Sequence, residues 1–152
     1  MSDHVAATES RFAPYVGRQS EPLQLEVERG HIRRFAEAVG DTNPVYVDEA
    51  AARAAGHPRI PAPPTFAIAL RANDPRGGID LDWRKLLHGE QELDFARPVY
   101  AGDRLTIVGR IAEASVKQTK SGVMDVMVLE TVATDGDGAR VFSARSTVLV
   151  RR

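Results

Sequence analysis

The chain has 152 residues, 43% of them hydrophobic and 27% charged, which suits one domain with a self-sufficient core and leaves too little for two. With 20 basic against 21 acidic residues the formal charge is -1, so no net positive field draws it to nucleic acid or anionic lipid. Cysteine is absent, which excludes disulfides, thiolate metal sites and a cysteine nucleophile. No apolar run approaches the roughly 20 residues of a membrane helix, and residues 1–10 lack the basic start and apolar segment of a secretory leader. The expectation is a cytoplasmic protein with no membrane or nucleic-acid partner.

Residues 1–22 read as an N-terminal extension and 23–152 as a single domain. Residues 23–28 alternate Leu23, Leu25 and Val27 with polar neighbours, the period of a half-buried strand. The period then changes: Ile32, Phe35, Ala36 and Val39 form one stripe of an amphipathic helix that Gly40 should stop. Asp48 is placed to cap a short alanine-rich helix ending at Gly56. Residues 57–64 carry four prolines and must run extended, because each ring fixes φ and removes a donor. Residues 64–70 follow, apolar nearly all round after Thr65, as expected of a helix enclosed by protein on every side.

The second half reads as an antiparallel meander. Gln91, Leu93 and Phe95 share one face; Leu105, Ile107, Gly109 and Ile111 share another; Phe142, Ala144, Ser146, Val148 and Val150 form the inward row of the last strand. Residues 123–134 are apolar on both faces, with Met127 and Leu129 opposed to Val126, Val128 and Val132, so the strand should be covered twice, by the core and by something else such as a second subunit. One early strand, a helical insertion and a run of long strands argue for an α+β fold, a curved antiparallel sheet around one buried helix.

Gly40-Asp41-Thr42-Asn43-Pro44-Val45-Tyr46 is a polar overhang between two helices. It resembles the Gly-Asp-x-Asn-Pro-x-His overhang of the MaoC-like hydratases and dehydratases, with Asp41, Asn43 and Pro44 in place. The apolar segment 64–70 resembles the central helix of their hotdog fold. His88-Gly89-Glu90-Gln91, Arg97-Pro98 and Ala101-Gly102-Asp103 resemble strands of the MaoC-like N-terminal dehydratase domains. In active relatives the motif's aspartate and histidine hold one water, which adds to the β-carbon of a trans-2-enoyl thioester or leaves it in dehydration. Backbone N–H groups at the start of the buried helix polarise the thioester oxygen. The resemblance places Thr65, Phe66 and Ala67 at the thioester, Asn43 beside it, and Leu93 and Phe95 toward an acyl chain.

Where the motif has histidine, this chain has Tyr46. Imidazole exchanges a proton near neutrality, whereas a phenol near pKa 10 keeps its proton. Asp41 then serves either catalysis or the turn itself, and His88 is the substitute base to consider. His4, His31 and His57 show no metal-ligand spacing, so no metal and no cofactor is expected. Arg59 and Arg97 are candidates for a coenzyme A phosphate or a carrier protein, beside the plain reading as solvated surface. Three functions compete: an acyl-chain-binding subunit of an (R)-3-hydroxyacyl thioester dehydratase paired with a catalytic hotdog partner, a stand-alone hydratase with a rewired base, and a binding protein for an acyl-CoA or acyl carrier protein thioester. Assembly as a homodimer or heterodimer, with strands meeting edge to edge, goes with all three.

Overall fold

In the computed structural model, which describes residues 9–152, one antiparallel sheet carries the fold. Its strands are β1 (Leu23–Glu26), β2 (Leu86–Phe95), β3 (Arg104–Thr119), β4 (Gly122–Thr134) and β5 (Arg140–Arg151), in the order β1-β3-β4-β5-β2. The leader reading of residues 1–10 and the placement of His4 lie, but for residues 9 and 10, outside the described residues.

Register follows from the alternation. Ile107 pairs with Ala133, Gly109 with Thr131 and Ile111 with Leu129; Ala133, Thr131, Leu129 and Met127 pair in turn with Phe142, Ala144, Ser146 and Val148. Because directly paired residues share a face, these rows, continued by Gln91, Leu93 and Phe95 of β2, line one inner face. A bulge at Gly89, between His88 and Glu90, inserts one residue into β2, and this turns His88 onto the same inner face as Gln91.

Two helices cross one end of that face. α1 (Arg29–Val39) buries Ile32 and Ala36 and ends at Gly40, whose φ of 75° permits the left-handed turn that closes it. α2 (Glu49–Ala54) is capped by Asp48, whose Oδ1 accepts from the Ala51 N–H at 3.0 Å. Phe66 lies at the centre of this cluster, fully buried, with the His31 and Phe35 rings edge-on at 4.8 and 5.4 Å.

The segment expected as a fully enclosed helix differs from that expectation. It is a five-residue 3-10 turn, Pro64–Ile68, and only part of it is enclosed: Phe66, Ala67 and Leu70 are buried, while Thr65 is exposed and Ile68 is 47% exposed. Proline at positions 63 and 64 removes two donors at its start, and the tighter i to i+3 winding fits a short connector. Ile68 is apolar because it faces a groove rather than the core.

Residues 9–20 close the other end of the inner face. Phe12, 1% exposed, packs with Ile111, Met127 and Val150. The Gly17 and Ser20 N–H groups donate to the Ile111 and Gly109 carbonyls at 2.8 Å each, so this stretch continues the β1 edge along β3. Asp125 clasps it: the fully buried carboxylate accepts from the Arg11 N–H at 3.2 Å and from Arg152 Nη2 at 2.9 Å. No helix among the described residues is long and apolar enough to cross a membrane.

Candidate active site

The overhang is built by its own side chains. Asp41 Oδ1 accepts from the Asn43 N–H at 3.0 Å, and Asn43 Oδ1 accepts from the Val45 N–H at 3.1 Å. Each closes a turn that a carbonyl would otherwise have to close. Asn43 thereby caps the 3-10 turn Pro44–Tyr46, which carries the Tyr46 ring onto the first core cluster. Burial, and next the negative charge of Asp41, push the Tyr46 hydroxyl above the ordinary phenol value. Asp41 itself is exposed.

A groove of about 500 Å3 lies between the two core ends on the inner face of the sheet. Its floor holds Gly109, Thr131, Ala144, Ser146 and Leu129, and its roof is the segment 67–76. Small side chains on the floor give it depth. The roof crosses β3 directly over Gly109, where a Cβ would come within 3.2 Å of the Ala72 Cβ and 3.3 Å of the Pro75 Cδ. The Asn73 side chain anchors the roof to the Glu21 carbonyl at 3.0 Å. At the mouth, the Arg76 guanidinium sits 5.2 Å from the centre of the Trp83 ring.

The lining is mixed, with Arg71, Asn73, Asp74 and Arg76 along the roof and a second polar spot on the sheet. His88 Nε2 lies 3.1 Å from Ser146 Oγ, and Gln91 beside it donates from Nε2 to the Arg145 carbonyl at 3.1 Å. Both His88 and Gln91 line the groove; Asp41 and Tyr46 do not. Of the remaining candidates, Ala67 lines the groove, Thr65 is exposed at the start of its turn, and the Phe66 N–H is already bonded to the Pro63 carbonyl at 2.9 Å. Leu93 and Phe95 pack against the first core cluster, with Phe95 and Phe142 rings 5.8 Å apart.

Arg59 and Arg97 converge on Asp103, at 2.9 and 2.7 Å. Burial pushes the Asp103 carboxyl up, but hydrogen bonds from Arg97, the Tyr100 N–H and Arg59 outweigh it and hold the group below the ordinary carboxylate value. These arginines therefore brace the turn between β2 and β3. Among the described residues no group of three or more His, Asp or Glu side chains is placed to hold a metal.

Sequence reasoning placed Ser146 in an inward row but gave it no role, and it missed Thr131 and the roof residues 71–76. The signal for them was Gly109 and Gly89, since glycine inside a strand marks a close backbone approach or a bulge.

A sequence-family profile described as "FAS1-like, dehydratase domain region" matches residues 14–144. A UPF0336 protein of Streptomyces coelicolor is 44% identical over 119 residues, covering 73% of this chain and 77% of that one. Among solved structures, the truncated HadBC (3R-hydroxyacyl-ACP dehydratase) complex of Mycobacterium tuberculosis is similar at a TM-score of 0.75 and 29% identity, over 89% of this chain and 96% of that one. The ChsH1-ChsH2 complex of the same organism is similar at a TM-score of 0.74 and 30% identity, over 87% and 83%.

Proposed function

We propose, from the premise that this chain belongs to the FAS1-like dehydratase-region family of hotdog hydratases and dehydratases, that it is the acyl-chain-binding subunit of an (R)-3-hydroxyacyl thioester dehydratase. A second hotdog subunit with the complete Asp-x-Asn-Pro-x-His overhang supplies the chemistry. One observation carries the reading: the position that must exchange a proton holds Tyr46, whose hydroxyl is pushed up by burial and by Asp41, while a groove lined in part by Ile68, Leu70, Leu86, Leu129 and Val148 stays open. A phenol that keeps its proton cannot take one from water at neutral pH. The groove still offers an acyl chain a floor of mostly small side chains and a roof.

In this division of labour the partner's carboxylate and imidazole hold the water. In hydration the base takes a proton from the water as its oxygen bonds to the β-carbon, and the α-carbon receives a proton; dehydration reverses both. This chain's contribution is the position of the acyl chain, which fixes how the β-carbon meets that water. The substrate is a coenzyme A or carrier-protein thioester, and no cofactor is needed.

Co-expression with a hotdog subunit carrying the intact motif is the test. The expected outcome is a stable complex that dehydrates 3-hydroxyacyl thioesters and loses activity when the partner's motif histidine is replaced. Loss of turnover on Asp41→Asn in this chain alone would show that this subunit is catalytic. His88, facing Ser146 in the groove, favours a second reading, a stand-alone hydratase. Turnover by the purified chain that survives Tyr46→Phe and disappears in His88→Ala would establish it. A chain that binds acyl thioesters but gains no activity with any such subunit would be a binding protein.

A further inference from the structure

We infer that the floor of the groove recognises an oxygen function, a hydroxyl or a carbonyl, carried on the acyl chain beyond its thioester, so that the preferred ligands are oxygenated acyl groups. This rests on the acyl-binding reading above and names the substrate class within it. Four polar side chains share the inner face of the sheet. Gln91 is paired directly with Ser146, and His88 Nε2 stands 3.1 Å from Ser146 Oγ. Ser146 is paired with Leu129 and Ala144 with Thr131, so Thr131 lies diagonally across from Ser146. All four line the groove, beside Leu129 and Val148.

The hydrogen-bonding capacity of these four is not used up. Gln91 Nε2 donates to the Arg145 carbonyl at 3.1 Å and to the Glu92 carbonyl at 3.4 Å. Its Oε1 is left as an acceptor, and the Thr131 hydroxyl as donor and acceptor, without a partner among the described residues. Either tautomer of His88 leaves one donor over: Nδ1–H if Ser146 donates to the ring, the Ser146 hydroxyl if the ring donates to it. The roof differs, because Asn73 is bonded to the Glu21 carbonyl and Arg76 holds Asp74 through two contacts of 2.8 Å, with Arg71 adding its charge beside Asp74. A plain alkyl chain laid on this floor takes water from the hydroxyls and the amide oxygen and returns no hydrogen bond. An oxygen at the right carbon replaces that water.

The backbone is shaped for this placement. Strict alternation would put His88 on the face opposite Gln91, and the bulge between His88 and Glu90 brings it in. Gly89 lets the bulge pack closely: a Cβ there would come within 2.6 Å of Leu149 Cδ1 and 3.3 Å of the Thr147 carbonyl oxygen.

Binding can be read from the fluorescence of Trp83, the chain's only tryptophan, which lines the groove. The ligands are decanoyl-pantetheine and its keto and hydroxy derivatives, with the oxygen moved one carbon at a time along the distal half of the chain. The expected result is one oxygen position at which binding is at least about tenfold tighter than for decanoyl-pantetheine; an apolar groove gives the opposite order, since the added oxygen must be desolvated. The keto and hydroxy arms tell whether the floor donates or accepts there. Ser146→Ala/Thr131→Val should reduce the preference to less than about threefold while decanoyl-pantetheine binds within about twofold of wild type. Should that variant fold poorly by circular dichroism, His88→Ala takes its place with the same expectation. A panel in which no oxygenated ligand binds more tightly than decanoyl-pantetheine overturns the inference and leaves acyl binding standing. So does a preference that the variant keeps, because the oxygen is then held elsewhere. If neither decanoyl-pantetheine nor any derivative binds, the acyl-binding reading itself falls, and the inference with it.

Discussion

Tyr46 and Gly109 each decide a property through a single side chain. At Tyr46, where the motif it resembles has histidine, burial and then Asp41 drive the phenol further toward the neutral form. The purified chain should therefore hydrate a crotonyl thioester weakly at pH 7, and Tyr46→Phe should change that residual rate by less than about twofold, because neither a neutral phenol nor a phenyl ring takes a proton from water. A thioester hydration assay on the two proteins checks this. Gly109 acts through the atom it lacks. Gly109→Ala places a Cβ against Ala72 and Pro75 and must lift the roof or strain β3, at a cost of about 1–3 kcal/mol. Urea unfolding measures it, and a fall in affinity for a long-chain acyl ligand should accompany it if the roof has moved.

At the scale of elements, two buried carboxylates tie together pieces distant in sequence. Asp103 braces the turn between β2 and β3 through Arg59 and Arg97, and Asp125 joins β4 to the N-terminal segment and to Arg152. For both, burial acts upward but hydrogen bonding wins and lowers the carboxyl below its ordinary value. A group whose pKa is depressed by folding contributes stability that is present above its unfolded pKa, about 4, and is lost as pH falls through the lower folded value. Stability should therefore be level near neutrality and fall below about pH 4. Asp103→Asn should cost about 1–2 kcal/mol at pH 7, because it weakens charge-assisted hydrogen bonds from two partly exposed arginines. Its deficit relative to wild type should narrow in the acid range, which urea titrations at the two pH values would read.

For the whole molecule, the inner face of the sheet is divided into three: the α1 cluster at one end, the N-terminal segment at the other, and the groove between. The second end is held largely by one ring. Phe12→Ala removes a side chain that is 1% exposed and should cost about 3–5 kcal/mol, with a matching drop in melting temperature. Loss of that wall should also loosen the groove, so acyl-ligand affinity and stability should fall together. The doubly apolar strand expected at residues 123–134 has its inner face covered by the second cluster, through Met127 and Leu129. Its outer residues Val126, Val128 and Val132 are half-buried among their strand neighbours.

Elements whose information is local could be read directly from the chain. Alternation predicted the inward rows of β2, β3 and β5, the apolar stripe and Gly40 predicted α1, and Asp48 predicted the cap of α2, because side-chain period and capping chemistry act within a few residues. The overhang was legible for the same reason: Asp41 and Asn43 bond to backbone two residues away. Tertiary structure alone decided which residues share the groove. One extra residue at Gly89 reversed the face of His88, an outcome that alternation counted through the bulge gets wrong. The fate of segment 64–70 was likewise non-local: an apolar residue facing a groove and one facing a core look the same in composition, and only the packing of Phe66 beneath α1 left Ile68 to the groove. The role of residues 9–20 was hidden because their partners, Ile111, Asp125 and Val150, lie about a hundred or more positions away along the chain, where no local pattern can register them.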